Sequence, residues 1–318
     1  TPLLEKTRKK ISMFTNVSVS DVFSCHDVKS IFKIPQMLYE QGLVEVIFKK
    51  FTKVGYINAS ENWDTWNTIV NSLQISENPI KIAMVGKYVT LADSYVSVNE
   101  ALKHASASIN STVNIDWIDS ETLNGNIKKL SEYQGILVPG GFGTRGSEGI
   151  IETASFALEQ NIPFLGICFG FQLAAVSFGR SVCKLEEANS TEVSADTKHP
   201  IISLLPEQEG VSNMGGSLRL GANEINLNKN SLAYKIYNTE VIYKRHRHRY
   251  EFNTNYREQF EKNGMNFTAE SDNGKRMEIL EVPSHKFFFG VQFHPEFSSR
   301  PGFPEHAFKA FVSAASHK

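Results

Sequence analysis

The sequence predicts an α/β fold: a mostly parallel open sheet with helices on both faces, plus a small antiparallel extension. Three observations point there. Short apolar runs at 80–85, 135–138 and 163–167 read as strands buried on both faces. Stretches with helical spacing at 94–109, 149–160 and 171–178 alternate with them. Glycine follows the first strand at Gly86 and closes another in Pro139-Gly-Gly-Phe-Gly143.

Along the chain, Ile11-Ser-Met-Phe14 reads as a short strand. The run 27–35 leads into a helix-like stretch at 36–42, and Trp63 and Trp66 mark an amphipathic segment at 63–73. Gln74-Ile-Ser-Glu-Asn-Pro79 is polar and ends in proline, which marks a boundary. The chain is therefore expected to divide into residues 1–73 and 74–318. Residues 113–118 form a further strand after the first helix of the second part. Residues 216–279 mix short strands and turns and read as an insertion or antiparallel extension. The apolar strand 287–293 follows.

Composition narrows the classes. The 318 residues, 41% hydrophobic, suffice for one large domain or two modest ones. Lys and Arg number 33 against 34 Asp and Glu, whereas a protein that coats a polyanion is normally basic, so no nucleic acid is expected. No segment approaches the roughly 18–20 apolar residues of a membrane span, so no membrane is expected. Three cysteines cannot staple a fold of this size, so a reducing, cytoplasmic setting is the default. No signal peptide opens the chain, which starts Thr-Pro-Leu and reads as a fragment of something longer.

The strongest chemical feature is Gly166-Ile-Cys168-Phe-Gly170, where a strand runs into a cysteine and a helix starts behind it. This is the nucleophile-elbow pattern with Cys in place of Ser. The flanking glycines suit a sharp turn, and the helix N-terminus favours the thiolate. The Phe169 amide points toward a developing oxyanion. A buried structural cysteine is the competing reading; Cys25 and Cys183 lack any such frame. In Pro139-Gly140-Gly141 the adjacent glycines leave amides to donate, so the Gly141 N–H is a second oxyanion donor or part of a plain turn. No Gly-Lys-Ser/Thr follows, which argues against a nucleotide phosphate loop here. Pro295 biases His294 to extended backbone, and positions two apart share a face, so Glu296 stands beside His294. Cys168, His294 and Glu296 then form a nucleophile, a base and its orienting carboxylate, suited to amide hydrolysis through a thioester. Arg245-His-Arg-His-Arg249 reads as a solvated face or a phosphate patch. No Cys or carboxylate stands at ligand spacing from its histidines, so no metal is expected.

Together, the elbow, the Pro-Gly-Gly loop and Phe293-His-Pro-Glu296 resemble the class I (triad) glutamine amidotransferase domain. Further motifs make the chain similar to the CTP synthase family. They are Val85-Gly-Lys-Tyr-Val-Thr-Leu-Ala-Asp-Ser-Tyr95, Ser97-Val-Asn-Glu-Ala-Leu102, Ala188-Asn-Ser-Thr-Glu-Val193, Met214-Gly-Gly-Ser-Leu-Arg-Leu-Gly221, the basic run, and Phe293 through Pro301. Lys10-Ile-Ser-Met-Phe14 and the stretch from His26 to Pro35 resemble the end of that family's synthetase (amidoligase) domain, whose bulk is missing.

The resemblance implies a glutaminase mechanism with Cys168 as nucleophile, His294 as base, Glu296 as its partner, and Gly141 and Phe169 as the oxyanion hole. It implies that Gly141, Phe169, Gly170, Phe171, Gln172, Glu192 and Arg249 bind glutamine. Lys10 matches a pyrimidine-nucleotide contact, and His26, Asp27 and Val28 match an ATP contact. It implies no cofactor in this fragment; the full enzyme would use ATP with magnesium, UTP, and GTP as effector, and form a homotetramer or filament. Lys87, Tyr88 and the lid at 142–145 are candidates for the GTP response. Phe169 and Phe171 stand where the family often has Leu and Met, Phe32 where it has Tyr, and Ser217-Leu218 where it has Thr-Met. Another thiol hydrolase of the same fold, such as a γ-glutamyl hydrolase, and a non-catalytic assembly module are the alternatives.

Overall fold

A computed structural model describes residues 1–28, 30–51, 60–73, 78–89, 91, 93–123, 125–205 and 218–317. Residues 74–77 of the boundary segment, Lys29, Thr90, Ala92 and residues 214–217 of the family motifs lie outside the described residues. The chain divides into two compact units, Thr1–Gln74 and Ile75–Lys318.

The first unit is helical. Helix α1 (Glu5–Thr15) contains Ile11-Ser-Met-Phe14, so the expected strand is absent there. Four residues cannot separate a period of 2 from one of 3.6, and the neighbours decide. Helix formers run from Glu5 to Lys10, Glu5 pairs with Lys9 at 3.7 Å, and Asn16 closes the helix in the left-handed conformation with its N–H on the Ser12 carbonyl. Helix α2 (Ile34–Glu40) begins two residues before the expected 36, because Pro35 fits the first turn, where no N–H is needed. Helices α3 (Leu43–Lys50) and α4 (Ser60–Ser72) follow. Trp66 on α4 donates to the Phe32 carbonyl at 3.0 Å, and the Trp63 ring lies 4.8 Å from that of Tyr39. Among the described residues of this unit, Val22 and Val70 are the buried apolar side chains.

The second unit follows the expected alternation. In order it contains β1 (Ile80–Gly86), α5 (Val96–Ala107), β2 (Val113–Asp119), β3 (Gly135–Val138), α6 (Ser147–Glu159), β4 (Phe164–Ile167) and α7 (Phe169–Ser181). Then come β5 (Ala188–Ser190), β6 (His199–Ser203), β7 (Arg219–Leu227), α8 (Leu232–Tyr237), β8 (Val241–His248) and β9 (Glu251–Phe252). The last elements are α9 (Arg257–Lys262), β10 (Asn266–Ser271), β11 (Arg276–Glu281), β12 (Phe288–Val291) and α10 (His306–Ser316). Nine strands form one sheet in the order β2-β1-β3-β4-β12-β11-β10-β7-β8. The first five are parallel and the last four pair antiparallel, which is the expected extension continuing the main sheet. Strands β5, β6 and β9 make a small separate sheet.

Strand β1 shows how both faces are covered. Ile82 and Met84 join a core with Leu102 of α5 and Phe308 and Phe311 of α10. Ala83 and Val85 point the other way, into a core with Ile150 of α6 and Phe171 and Phe178 of α7. Each fully buried Phe or Ile contributes about 1.5–3 kcal/mol. Among the described residues no helix is long and apolar enough to cross a membrane.

Candidate active site

The sheet order sets three adjacent strands, β3, β4 and β12, side by side with their carboxyl ends together. Ligands in open α/β sheets bind outside such ends. Strand β4 runs into Cys168, which has φ 52° and ψ −98° and precedes the first residue of α7. A cysteine with positive φ is strained, so the strain sits on Cys168 itself. The two flanking glycines serve a different purpose: close approach. A β-carbon on Gly166 would lie 2.7 Å from the Gly170 carbonyl oxygen, and one on Gly170 would lie 2.3 Å from that of Val138. The Cys168 N–H donates to the Val291 carbonyl at 2.7 Å, tying the elbow to β12.

His294 follows β12, and its N–H donates to the Arg245 carbonyl of β8 at 2.8 Å. Its Nδ1 donates to Glu296 Oε1 at 2.8 Å. Glu296 does not arrive along an extended segment as expected from the sequence. Pro295–Ser298 is a 3₁₀ turn, with proline in its first turn. With Nδ1 on the carboxylate, the opposite ring nitrogen is left for Cys168, which lines the same cavity as His294. Burial disfavours the imidazolium, but the facing Cys168 and Glu296 outweigh it and push the His294 pKa up to about 10.

A cavity of about 560 Å³ opens over this pair. Of the residues singled out in the sequence, Tyr88, Gly141, Phe142, Cys168, Gln172, Glu192, Arg249 and His294 line it. Phe169 and Phe171 do not, because their side chains are buried in the core beneath. Gly170 is pressed against β3. None of these three lines the cavity. Tyr95, Gly140, His248 and Tyr250 also line it, and sequence reasoning gave them no role there. Gly140 had a signal in its Pro-Gly-Gly setting; the others depend on strand pairing. A second cavity of about 560 Å³ is lined by residues such as Ser231, Arg257 and Glu281, with no cysteine among its lining residues.

The loop after β3 is held from both sides. The Gly143 N–H donates to Glu192 Oε1 at 2.8 Å. Lys87 Nζ donates to the carbonyls of Phe142 at 2.9 Å and Gly143 at 2.5 Å, and lies 4.1 Å over the Phe169 ring. Burial lowers the Lys87 pKa to about 8, with Glu192 opposing and Arg145 adding to the fall. Arg145 donates to Glu121 at 2.7 Å and to the Lys87 carbonyl.

The basic run is split by strand alternation. On β8, Arg245 and Arg247 are exposed while His246 and His248 are buried. Burial and then Arg219 lower the pKa of His246 to about 2 and of His248 to about 3, so both rings are neutral. Among the described residues no group of three or more His, Cys, Asp or Glu is placed to hold a metal ion. Lys10, exposed on α1, and His26, Asp27 and Val28 after the first 3₁₀ turn all belong to the first unit.

Comparison with known proteins adds to this geometry. Residues 90–314 match the family described as glutamine amidotransferase class-I, and residues 1–53 match the CTP synthase N-terminus. A CTP synthase of Archaeoglobus fulgidus is 46% identical over 97% of this chain and 57% of its own length. One of Thermococcus kodakarensis is 44% identical over 100% of this chain and 59% of its own length. The chain thus spans less than two thirds of these relatives. Among solved structures, the Trypanosoma brucei CTPS glutaminase domain with bound acivicin is 36% identical with a TM-score of 0.71, over 75% of this chain and 94% of that one. The chain belongs to the CTP synthase family, and its second unit carries that family's class I glutamine amidotransferase fold.

Proposed function

We propose that the second unit hydrolyses glutamine through a thioester on Cys168. One observation carries the reading: a cysteine in a strained elbow lines one cavity with a histidine whose Nδ1 is 2.8 Å from a carboxylate. In this reading the Cys168 sulfur attacks the side-chain amide carbon of glutamine. The amides of Gly141 and Phe169 receive the oxyanion; each such donor typically contributes about 10²–10³ in rate. His294 gives its proton to the departing ammonia, then takes one from the water that cleaves the thioester, releasing glutamate. Glu296 holds the ring in the required orientation. Glu192 and Gln172 receive the α-ammonium, and Arg249 and the backbone at Gly170 and Phe171 complete the grip on the amino-acid end.

In the longer enzyme of this family, the ammonia would aminate UTP to CTP at the expense of ATP, with GTP as effector. Lys10 would face the pyrimidine nucleotide and His26, Asp27 and Val28 the ATP. A cytoplasmic setting and assembly into a homotetramer or filament belong to the same proposal.

The test is ammonia release from glutamine by this chain, with and without GTP, beside Cys168→Ala. Release that vanishes in the variant supports the reading. No release, together with no Cys168 adduct from a glutamine-shaped diazoketone, overturns it.

A further inference from the structure

We infer that His248, held in one tautomer by His246, is a positioning residue that fixes which atom of Gln172 faces the cavity. The inference rests on the glutamine reading above for the identity of the ligand.

The argument starts at Gln172, which is 3% exposed and lines the cavity. Its Nε2 donates to the Tyr250 carbonyl at 2.9 Å and to Gln292 Oε1 at 3.2 Å. A carbonyl can only accept, so the amide orientation is settled and both amide hydrogens are committed. Oε1 is the atom left to meet a ligand. An acceptor there, in a cavity that also holds the Glu192 carboxylate, suits an ammonium group and repels a carboxylate.

The orientation of Gln172 depends on where the Tyr250 carbonyl points, and that carbonyl has a second partner. His248 Nδ1 lies 3.2 Å from it and 3.6 Å from Glu251 Oε1. Both neighbours accept, so Nδ1 carries the hydrogen of the neutral ring and Nε2 carries a lone pair. His246 Nδ1 lies 2.9 Å from that lone pair and donates to it. The donor chain runs in one direction, from His246 to His248 to the Tyr250 carbonyl. His248 must be neutral for this, since an imidazolium has no lone pair to accept with. Arg219 and Arg276, paired with Glu278 at 2.6 Å and Glu251 at 2.5 Å, place two cations around the dyad. Burial and these cations hold both rings neutral. The same segment of β8 borders the nucleophile, because the Arg247 carbonyl oxygen is 4.0 Å from Cys168 Sγ.

The test compares two substitutions in the full 318-residue chain. In His248→Asn the amide nitrogen replaces Nδ1; in His248→Gln it reaches only the Nε2 position. Loss of free Cys168 is followed with a glutamine-shaped diazoketone and with iodoacetamide, and the ratio of the two rates is read. Loss of one hydrogen bond should lower the ratio about tenfold in His248→Gln, while His248→Asn stays within about threefold of wild type. An unchanged ratio in His248→Gln, or an equal loss in both variants, overturns the inference. A wild-type chain that reacts with iodoacetamide but ignores the diazoketone overturns the glutamine reading instead. Melting curves accompany each variant. If His248→Gln does not fold, His246→Phe, which removes only the donor to Nε2, is held to the same tenfold criterion, about one hydrogen bond.

Discussion

Gly140 lies so close to the His294 ring that a β-carbon on it would stand 2.9 Å from Cε1 and 3.8 Å from the Cys168 β-carbon. The loop after β3 therefore forms one wall of the space in which the cysteine and histidine meet. It can do so only without a side chain at that position.

Gly140→Ala should displace the His294 ring from Cys168. Ammonia release is expected to fall about a hundredfold, because small misplacements of reacting groups carry that cost. The fold should survive, since the clash meets a side chain at a cavity rim. A melting temperature within about 4 °C of wild type would separate this from unfolding.

Loss of the Glu296 carboxylate should weaken the hold on the His294 proton. With both partners the ring stays protonated through neutral pH and releases its proton only as pH rises through about 10. Glu296→Gln removes one of the causes that raise the value, so the titration midpoint moves down towards the ordinary 6.5. Ring chemical shifts followed from pH 5 to 11 would show it. The same variant should lose roughly 10²–10⁴ in ammonia release.

Lys87→Met keeps the stem over Phe169 but removes the donor to the Phe142 and Gly143 carbonyls. The loop should open more often. Tryptic cleavage after Arg145 is expected to speed up by about fivefold, as local opening governs proteolysis. A cleavage rate equal to wild type would show that the contacts through Glu192 and Arg145 suffice to hold the loop.

Arg219→Met strands the fully buried Glu278, whose remaining bond is from the Ser271 hydroxyl. Breaking a buried pair costs about 3–5 kcal/mol, or roughly 10 °C in melting temperature. Burial already raises the Glu278 pKa against the pull of Arg219, and losing Arg219 raises it further. A carboxyl with a raised folded value takes up a proton on folding. Stability is then greatest below the unfolded value and falls as pH climbs towards the folded one. The variant's deficit should be smaller at pH 5 than at pH 8 in melting experiments.

Much of the second unit was legible because its strands are short apolar blocks and its turns carry glycine. Residues 80–85 and 135–138 became β1 and β3 almost residue for residue. Ile11-Ser-Met-Phe14 misled because four residues carry no period. The pairing of His294 with Glu296 was anticipated, but for the wrong backbone: a 3₁₀ turn brings the carboxylate round, where an extended chain was expected. The buried half of the basic run could not be read, since a string of cations hides which residues face inward until the strand's partners are known. For the same reason Tyr250 and His248 were invisible as cavity residues. Their place depends on β8 pairing with β7 and on the Tyr250 carbonyl meeting α7, which are contacts between distant parts of the chain.

The backbone of Cys168 has an evolutionary corollary. At φ 52°, glycine would relieve the chain of a conformation that side chains resist. Relieving that conformation would contribute of order 1 kcal/mol to the folded state. Selection for durability alone would thus remove the thiol, and only selection for reactivity keeps it. Copies of this domain that have lost their chemistry should drift to glycine here while their cores stay intact. The identity of this one residue would then divide working relatives from retired ones.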